Sequence, residues 1–457
     1  MTRYVNIDRD TPLLLPPDLR DWVPADHLVH FVLDAMEAID TRSAPVNTRG
    51  TGSEQYPPSL LLGLLVYSYA TGTFSSRQIE RATYENVAVR LLCADTHPDH
   101  DTLCTFRRQN GPLLTQAFAQ ILELSARCGV LKVGQITVAV DGTKILANAS
   151  KHAAVSHGHV EKTLRTLDLE IAELLAKAEQ ADATPLQDGL TIPDEVQRRQ
   201  ERKAQLQRAK AEMEARAYAR FQAEQVEHDA KLARRAETAA ATGKSPRGRA
   251  PQAPDPAPQP TDQVNFTDPD SRIMKTKDGF QQAYNAQAGV ETASRLIVGP
   301  RVSQAPNDKQ ELRPNAAAVR RHLSPDTLLV DSGFVSAAAV TELERTTPGL
   351  TVLAALHREP HGRTVAQLEK RADPPTPPPE APFAERMRHR TATAAGRALY
   401  KLRQQTVEPV FGIIKEVLGF RRFSLRGLAK VTLEWELVCL AYNLKRLHRL
   451  GAVLRAA

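Results

Sequence analysis

Two short apolar runs constrain this chain more than anything else in it: QITVAVDGTKI (135–145) and DTLLVDSGF (326–334). Each is a β-prone stretch that ends in an aspartate followed by a glycine or a small residue. A near-continuous apolar run suits a central strand covered on both faces, the usual setting of parallel sheets. Parallel neighbours need a crossover between them, which favours an α/β architecture. In open α/β sheets, ligands gather beyond the carboxyl ends of the strands. Two such strands side by side would bring Asp141 and Asp331 to one sheet edge. The plainer reading of either aspartate alone is a turn cap.

The rest of the chain divides around these runs. Residues 1–54 read as a loose segment followed by an amphipathic helix with Val29, Phe31, Val32, Leu33, Met36 and Ile39 on its apolar positions. Residues 55–130 read as helical throughout. Ser75 and Ser76 are candidate N-caps there, and Asp101 is the expected N-cap of a short basic helix ending near Gly111. A first block of strand structure is expected over 131–159 and a second over 263–373. The second block includes a hairpin from QQAYNAQAGVE and SRLIVGPRVS and a further strand, TVLAALHRE (351–359). Between the two blocks, 160–262 holds two charged helical stretches without a strict heptad, then GKSPRGRAPQAPDPAPQPTD, which reads as a disordered loop. A Pro-rich linker is expected over 374–390 and helices over 391–457.

Composition narrows the function classes. Net charge is +7, and Arg386 to Lys430 alone carries eleven Lys/Arg against two Glu. A polyanionic partner such as DNA fits that surplus. Four scattered cysteines do not make a disulfide scaffold, so a reducing cytoplasm is expected. MTRYVNIDRD has no apolar signal core, and LLLGLLVYSYATG (60–72) is too short to span a bilayer. Cys93, His97, His100 and Cys104 are zinc-ligand residue types, but their spacing fits no familiar finger.

The basic region contains YKLRQQTVEPVFGIIK (400–415). Glu408 and Lys415 are seven residues apart and would share a helix face. Pro409 implies a helix start or a kink. Three convergent carboxylates, Asp141, Asp331 and Glu408, would suit Mg²⁺ or Mn²⁺. Two such ions would support an in-line phosphoryl transfer. Lys144 is a candidate phosphate contact, and Arg107 and Arg108 are candidate DNA contacts in a helix-turn-helix manner. Asn285 and Gln287 alternate on a strand and are candidates to line the cleft. Asp268 and Asp270 read as turn caps or assisting acids, and the segment around Trp435 reads as core.

Five segments in order carry a resemblance: AVDGTKILANASKH, DPDSRIMKTKDGFQQAYNAQAGVE, QAPNDKQEL, LLVDSGF and TVEPVFGIIKEVLGFRRFSLRGLAKVTLEWELVCLAYNLKRL. Together they resemble bacterial insertion-sequence transposases of the DDE type. The upstream PPSLLLGLLVYSYATGTFSSRQIERATYENVAVRLLCAD and HPDHDTLCTFRRQ are similar to the InsH-type N-terminal domain of those proteins. The resemblance implies an RNase H-like α/β core, an all-α DNA-binding N-terminal domain and a helical insertion in the core. It implies that Asp141, Asp331 and Glu408 hold two Mg²⁺ or Mn²⁺ ions. Tyr400, Arg403, Glu408 and Lys415 match a Tyr-Arg-Glu-Lys signature whose Arg and Lys would hold DNA phosphates, although Arg403 precedes Glu408 by one residue more than the pattern expects. The implied partners are transposon ends, target DNA and a second copy of the chain, at the nucleoid. An inactive DNA-binding descendant of such an element is the alternative.

Overall fold

The computed structural model describes residues 18–46, 54–132, 134, 136–183, 192–244, 248–356, 364, 372–378 and 380–454. The start of the expected loose segment, residues 47–53 and the end of the TVLAALHRE run lie outside them. The chain forms two compact units, residues 1–148 with 273–457, and residues 149–272.

The larger unit opens with helices α1 (Leu28–Ala38), α2 (Pro58–Ala70), α3 (Ser76–Glu85), α4 (Val87–Leu92), α5 (His100–Gln109) and α6 (Gly111–Arg127). α2 is buried almost all round, as its unbroken apolar run requires. Ser75 is the N-cap of α3, but its side chain accepts no capping hydrogen bond. The N-cap of α5 is Asp99, not Asp101: its carboxylate accepts from Thr102 N at 2.6 Å, and Asp101 lies in the first turn.

β1 (Thr137–Leu146) follows, and then the smaller unit. That unit contains β2 (Ala154–Ser156), α7 (His157–Ala183), α8 (Ile192–Thr242) and β3 (Gln263–Asn265). α7 and α8 bury Val160, Leu167, Leu206, Ala209 and Met213 against one another, together with Val264. Leu206, Ala209 and Met213 repeat at three and four residues, so a short heptad seam exists where no long one does. Arg199–Glu170 (2.9 Å) and Lys210–Glu161 (3.2 Å) flank it. Residues 248–262 form no helix or strand, yet their end is anchored. Arg220 meets Asp262 at 3.0 Å, and Asp262 O accepts from His157 N at 2.8 Å.

Back in the larger unit come β4 (Arg272–Thr276), β5 (Gly279–Glu291), β6 (Ile297–Ser303), α9 (Leu312–Arg320), β7 (Thr327–Val330), α10 (Ala337–Thr346) and β8 (Thr351–Ala354). The strands are ordered β4-β5-β1-β7-β8, with β6 also on β5. β5 runs antiparallel to β1 and β6, and β7 runs parallel to β1 and β8. β1 does not stop at Asp141: its ladder with β5 continues to Leu146, and only its parallel ladder with β7 ends, at Ala139.

α11 (Phe383–Ala392), α12 (Ala394–Gly412), a π-helical segment (Ile413–Val417) and α13 (Leu428–Arg449) complete the chain. The expected linker therefore ends at Pro382, which caps α11. Pro409 neither starts nor ends a helix. It lies inside α12, four residues before the π segment. α9 packs so closely on the sheet that a Cβ at Gly289 would fall 2.4 Å from Val319 Cγ2. α13 ties the N-terminal helices to the sheet. Trp435 Nε1 donates to Gln287 O (2.9 Å), and the Asn443 amide pairs with both Ile297 backbone groups at 2.8 Å. Among the described residues, no helix is long and apolar enough to cross a membrane.

Candidate active site

The parallel register pairs Val138 with Leu328 and Ala139 with Leu329. Continued by two residues, it sets Asp141 opposite Asp331, just past the end of β7. Asp331 is the N-cap of the short 3-10 turn Ser332–Phe334 but makes no side-chain cap bond. Its carboxylate is therefore not used up in local structure.

Arg403 on α12 joins the two acids. Its Nη1 donates to Asp141 Oδ2 at 3.0 Å, and its Nη2 stands 3.6 Å from Asp331 Oδ1. The Arg403 side chain is only 9% exposed, against 23% for Asp141 and 52% for Asp331. Burial works against the Arg403 charge, but the facing carboxylates outweigh it and its pKa is raised. Burial pushes the Asp141 carboxyl up. The Gly142 N–H, at 2.8 Å from Oδ1, and Arg403 pull it down without cancelling the rise.

Tyr400, Lys415 and Lys144 lie close by. Tyr400 OH donates to Val330 O at 3.3 Å and fastens α12 over the end of β7. Lys415 Nζ donates to Lys144 O at 2.9 Å, tying the π segment to β1. Burial lowers the Lys415 pKa, and the charges of Lys277, Arg421 and Lys144 lower it further. Burial also lowers the Lys144 pKa, against the opposing pull of Asp308, Glu311 and Asp141.

Glu408 stands apart from the two aspartates. It is exposed on α12, and among the described residues no group of three or more His, Cys, Asp or Glu side chains is close enough to hold a metal ion. The cause is helical geometry: five residues separate Glu408 from Arg403, which is about 140° around the axis and about 7.5 Å along it. Arg403 itself faces carboxylates inside the protein rather than solvent.

Arg107 does not fit the expected DNA contact. It is 4% exposed, and its Nη1 donates to Tyr69 OH (2.7 Å) and Phe74 O (3.1 Å), with Glu434 at 3.9 Å. The buried Glu434 on α13 requires a buried cation, and the inward face of α5 supplies it. Arg108 is exposed and donates to Cys104 O at 3.2 Å. Three of the four zinc-type residues find protein partners instead, and the fourth is buried. His97 stacks on Tyr84 and meets Thr83, His100 meets Glu80 at 2.8 Å, Cys104 meets Ser76, and burial pushes the Cys93 thiol up to about 12. Asp268 and Asp270 belong to the turn after β3 in the smaller unit.

One acid was missed in the sequence. Asp308, in the QAPNDKQEL segment, accepts from Asn285 Nδ2 (2.8 Å) and Gln287 Nε2 (2.7 Å). The alternation of amides along β5 was the available signal. It marked Asn285 and Gln287 but not the acid they hold.

Two stretches match known family models. Residues 378–448 match a Transposase DDE domain, and residues 17–109 match a Transposase domain (DUF772). The first stretch contains Tyr400, Arg403, Glu408 and Lys415, and the second contains Arg107 and Arg108. Asp141 and Asp331 lie outside both. No curated protein and no solved structure matches the chain.

Proposed function

Taking as premise an insertion-sequence transposase of the DDE type, we propose that this chain cleaves the phosphodiesters at the ends of a mobile element and joins the freed 3′-OH to target DNA. The observation that carries the reading is the register of β1 against β7, with Arg403 between Asp141 and Asp331. The strand order β5-β1-β7-β8, with β6 beside β5 and α9 leading into β7, supports an RNase H-like core.

The two carboxylates already converge on one positive group, the Arg403 guanidinium. Hard oxygen donors that face a cation in this way suit a divalent metal. Asp141 and Asp331 would hold Mg²⁺ or Mn²⁺, with Glu408 joining them once α12 is drawn against the strand ends, and a bound ion would stabilise the attacking and leaving oxygens of an in-line displacement. Lys144, Lys415 and Arg108 would bind DNA phosphates. Tyr400 keeps α12 seated, so that Arg403 stays aligned with the strand ends. Water attacks the end phosphodiester: its oxygen bonds to phosphorus as the P–O3′ bond breaks, leaving a 3′-OH on one side and a 5′-phosphate on the other. That hydroxyl attacks a target phosphodiester, with one P–O bond forming as another breaks. No bond to the protein is formed. Bringing two element ends together calls for at least two copies of the chain.

The test uses Asp141→Ala, Asp331→Ala and Glu408→Ala proteins with DNA carrying the element's own ends. Each should lose Mg²⁺-dependent cleavage while retaining DNA binding. Full cleavage by the Asp331→Ala protein would sink the assignment. Cleavage lost from every variant and from the wild-type chain alike would instead favour an inactive DNA-binding descendant.

A further inference from the structure

Past Ala139, β1 loses its parallel neighbour, and one edge of its C-terminal half is open to another partner. The segment after the π turn takes that edge. Leu146 N donates to Arg421 O at 3.0 Å, Phe423 N donates to Leu146 O at 2.9 Å, and Lys415 Nζ reaches Lys144 O. Asn148 extends the seam. Its amide donates to Ser424 O at 2.7 Å, and its carbonyl accepts from Arg426 Nε at 2.9 Å. The fully buried Glu434 carboxylate accepts from Ser424 N and Leu425 N at 2.9 Å each. Residues 421–426 are thus fixed in place, while Arg421, Arg422 and Arg426 are exposed on them.

On its other edge β1 pairs with β5, and Ala147 N donates to Gln282 O at 2.9 Å. The β4–β5 turn comes just before Gln282. Thr276 Oγ1 donates to Gly279 O at 2.9 Å, and Gly279 takes the φ of +89° that closes the turn. Lys275, Lys277 and Phe280 stand out from it, Phe280 with 71% of its surface exposed. Burial first, and then the charges of Lys277 and Arg421, hold the Lys415 pKa down, so the turn and the 421–426 segment share one surface.

Charge sets this surface apart. Exposed cations elsewhere face acids one helical turn away, as Lys177 does Glu173, Arg198 does Glu195 and Arg345 does Glu342. Here Arg421 pairs with Glu416, but among the described residues Lys275, Lys277 and Arg422 have no salt-bridge partner. Like charges held side by side repel one another, and a polyanion removes that cost. A ring exposed among phosphate-binding cations suits a stacked base. Leu146 is five residues beyond Asp141, about 17 Å along β1, which is the length of about five nucleotides of one strand.

We infer that the β4–β5 turn and residues 421–426 form a track for a DNA strand leading from the Asp141–Asp331 pair, in which Lys275, Lys277, Arg422 and Arg426 hold phosphates and Phe280 stacks on a base. This inference rests on the proposed DNA-cleaving reading.

The experiment uses the full chain with fluorescein-labelled DNA of arbitrary sequence, one short duplex and one short single strand, and follows anisotropy as salt is raised. Lys275→Gln/Lys277→Gln/Arg422→Gln removes no salt bridge, so the fold should be kept. Duplex affinity should fall about tenfold or more at about 0.1 M salt, and the slope of log affinity on log salt should flatten by about 2–3. Lys177→Gln/Arg198→Gln/Arg345→Gln removes the same charge and should change neither. Phe280→Ala should weaken single-strand binding about fivefold or more and leave the salt slope as it is. Equal losses in the two triple variants would reduce the effect to net charge and overturn the inference. Unchanged duplex binding in the first triple variant, or full single-strand affinity in Phe280→Ala, would also overturn it. Cleavage separates this inference from the functional reading. If Asp331→Ala abolishes cleavage while the first triple variant binds as wild type, the track falls and the reading stands. If that variant loses binding while Asp331→Ala cleaves fully, the reading falls and the track stands as a DNA-binding surface.

Discussion

Replacing Arg403 with glutamine tests the electrostatics of the site directly. The change removes a guanidinium that is 9% exposed and sits 3.0 Å from Asp141, leaving that carboxylate buried beside one remaining donor, Gly142 N–H. Removing one partner of a buried pair costs about 3–5 kcal/mol. Asp141 keeps 23% of its side chain exposed, and Arg403 Nε is already buried without a partner among the described residues, so relief of its desolvation offsets part of the loss. About 2 kcal/mol at pH 7 is the expected destabilisation. The pH dependence gives the sharper result. Burial raises the folded Asp141 pKa, and Arg403 lowers it, so the variant should raise it further. A raised carboxyl pKa contributes stability that is fully present below the unfolded value, about 3.9, and is lost as pH rises through the folded pKa. Both proteins carry protonated Asp141 at pH 3, so the difference should shrink there to well under about 1 kcal/mol. Urea unfolding followed by Trp435 fluorescence reads the larger unit, in a Trp22→Phe background because Trp22 is 55% exposed and Trp435 is fully buried. The Asp141→Asn/Arg403→Gln double mutant should return a coupling of about 1–2 kcal/mol. A difference that is the same at pH 3 and pH 7 would refute the pairing argument.

Two further perturbations separate structure from surface. Arg107→Leu should destabilise the larger unit by about 3–5 kcal/mol, because Glu434 is left buried without its cation, whereas Arg108→Ala should stay within about 0.5 kcal/mol. Equal effects in urea unfolding would contradict the burial of Arg107. Gly142→Ala should cost about 1–3 kcal/mol, since its Cβ must displace the Asn285 and Gln287 amides. A protein of wild-type stability would show that those amides can retreat freely.

The strands were legible because their information is local. The runs that became β1, β7 and the β5–β6 hairpin are dense in β-branched and aliphatic residues, and their pairing follows from one buried sheet. Partners across the chain were not legible. Arg107 and Arg108 are adjacent on a basic helix, and nothing within that helix tells which one will meet a glutamate on α13. The same holds for Asp99 and Asp101, where the preceding proline and the reach to Thr102 N decide the cap. Asp308 was hidden for another reason: it sits in an irregular turn, and its significance comes from amides on a strand that precedes it.

Glu408 shows where counting along a motif and counting around a helix diverge. As a sequence, Tyr400, Arg403, Glu408 and Lys415 form one pattern. On α12, Arg403 shares a face with Val407 and Val410, which are buried, and that face seats the helix on the sheet. Glu408 then projects about 140° away. Pro409 does not end the helix, so no break swings Glu408 round. The π segment that follows widens the turn carrying Lys415, which is how Lys415 reaches Lys144 O. The helix thus divides the motif into an inner pair, Tyr400 and Arg403, bonded to the strand ends, and an outward acid. The inner pair is fixed by packing and hydrogen bonds, while Glu408 has no salt-bridge partner among the described residues. Of the three acids, Glu408 is therefore the one whose contribution depends on how DNA and cation draw α12 against the ends of β1 and β7.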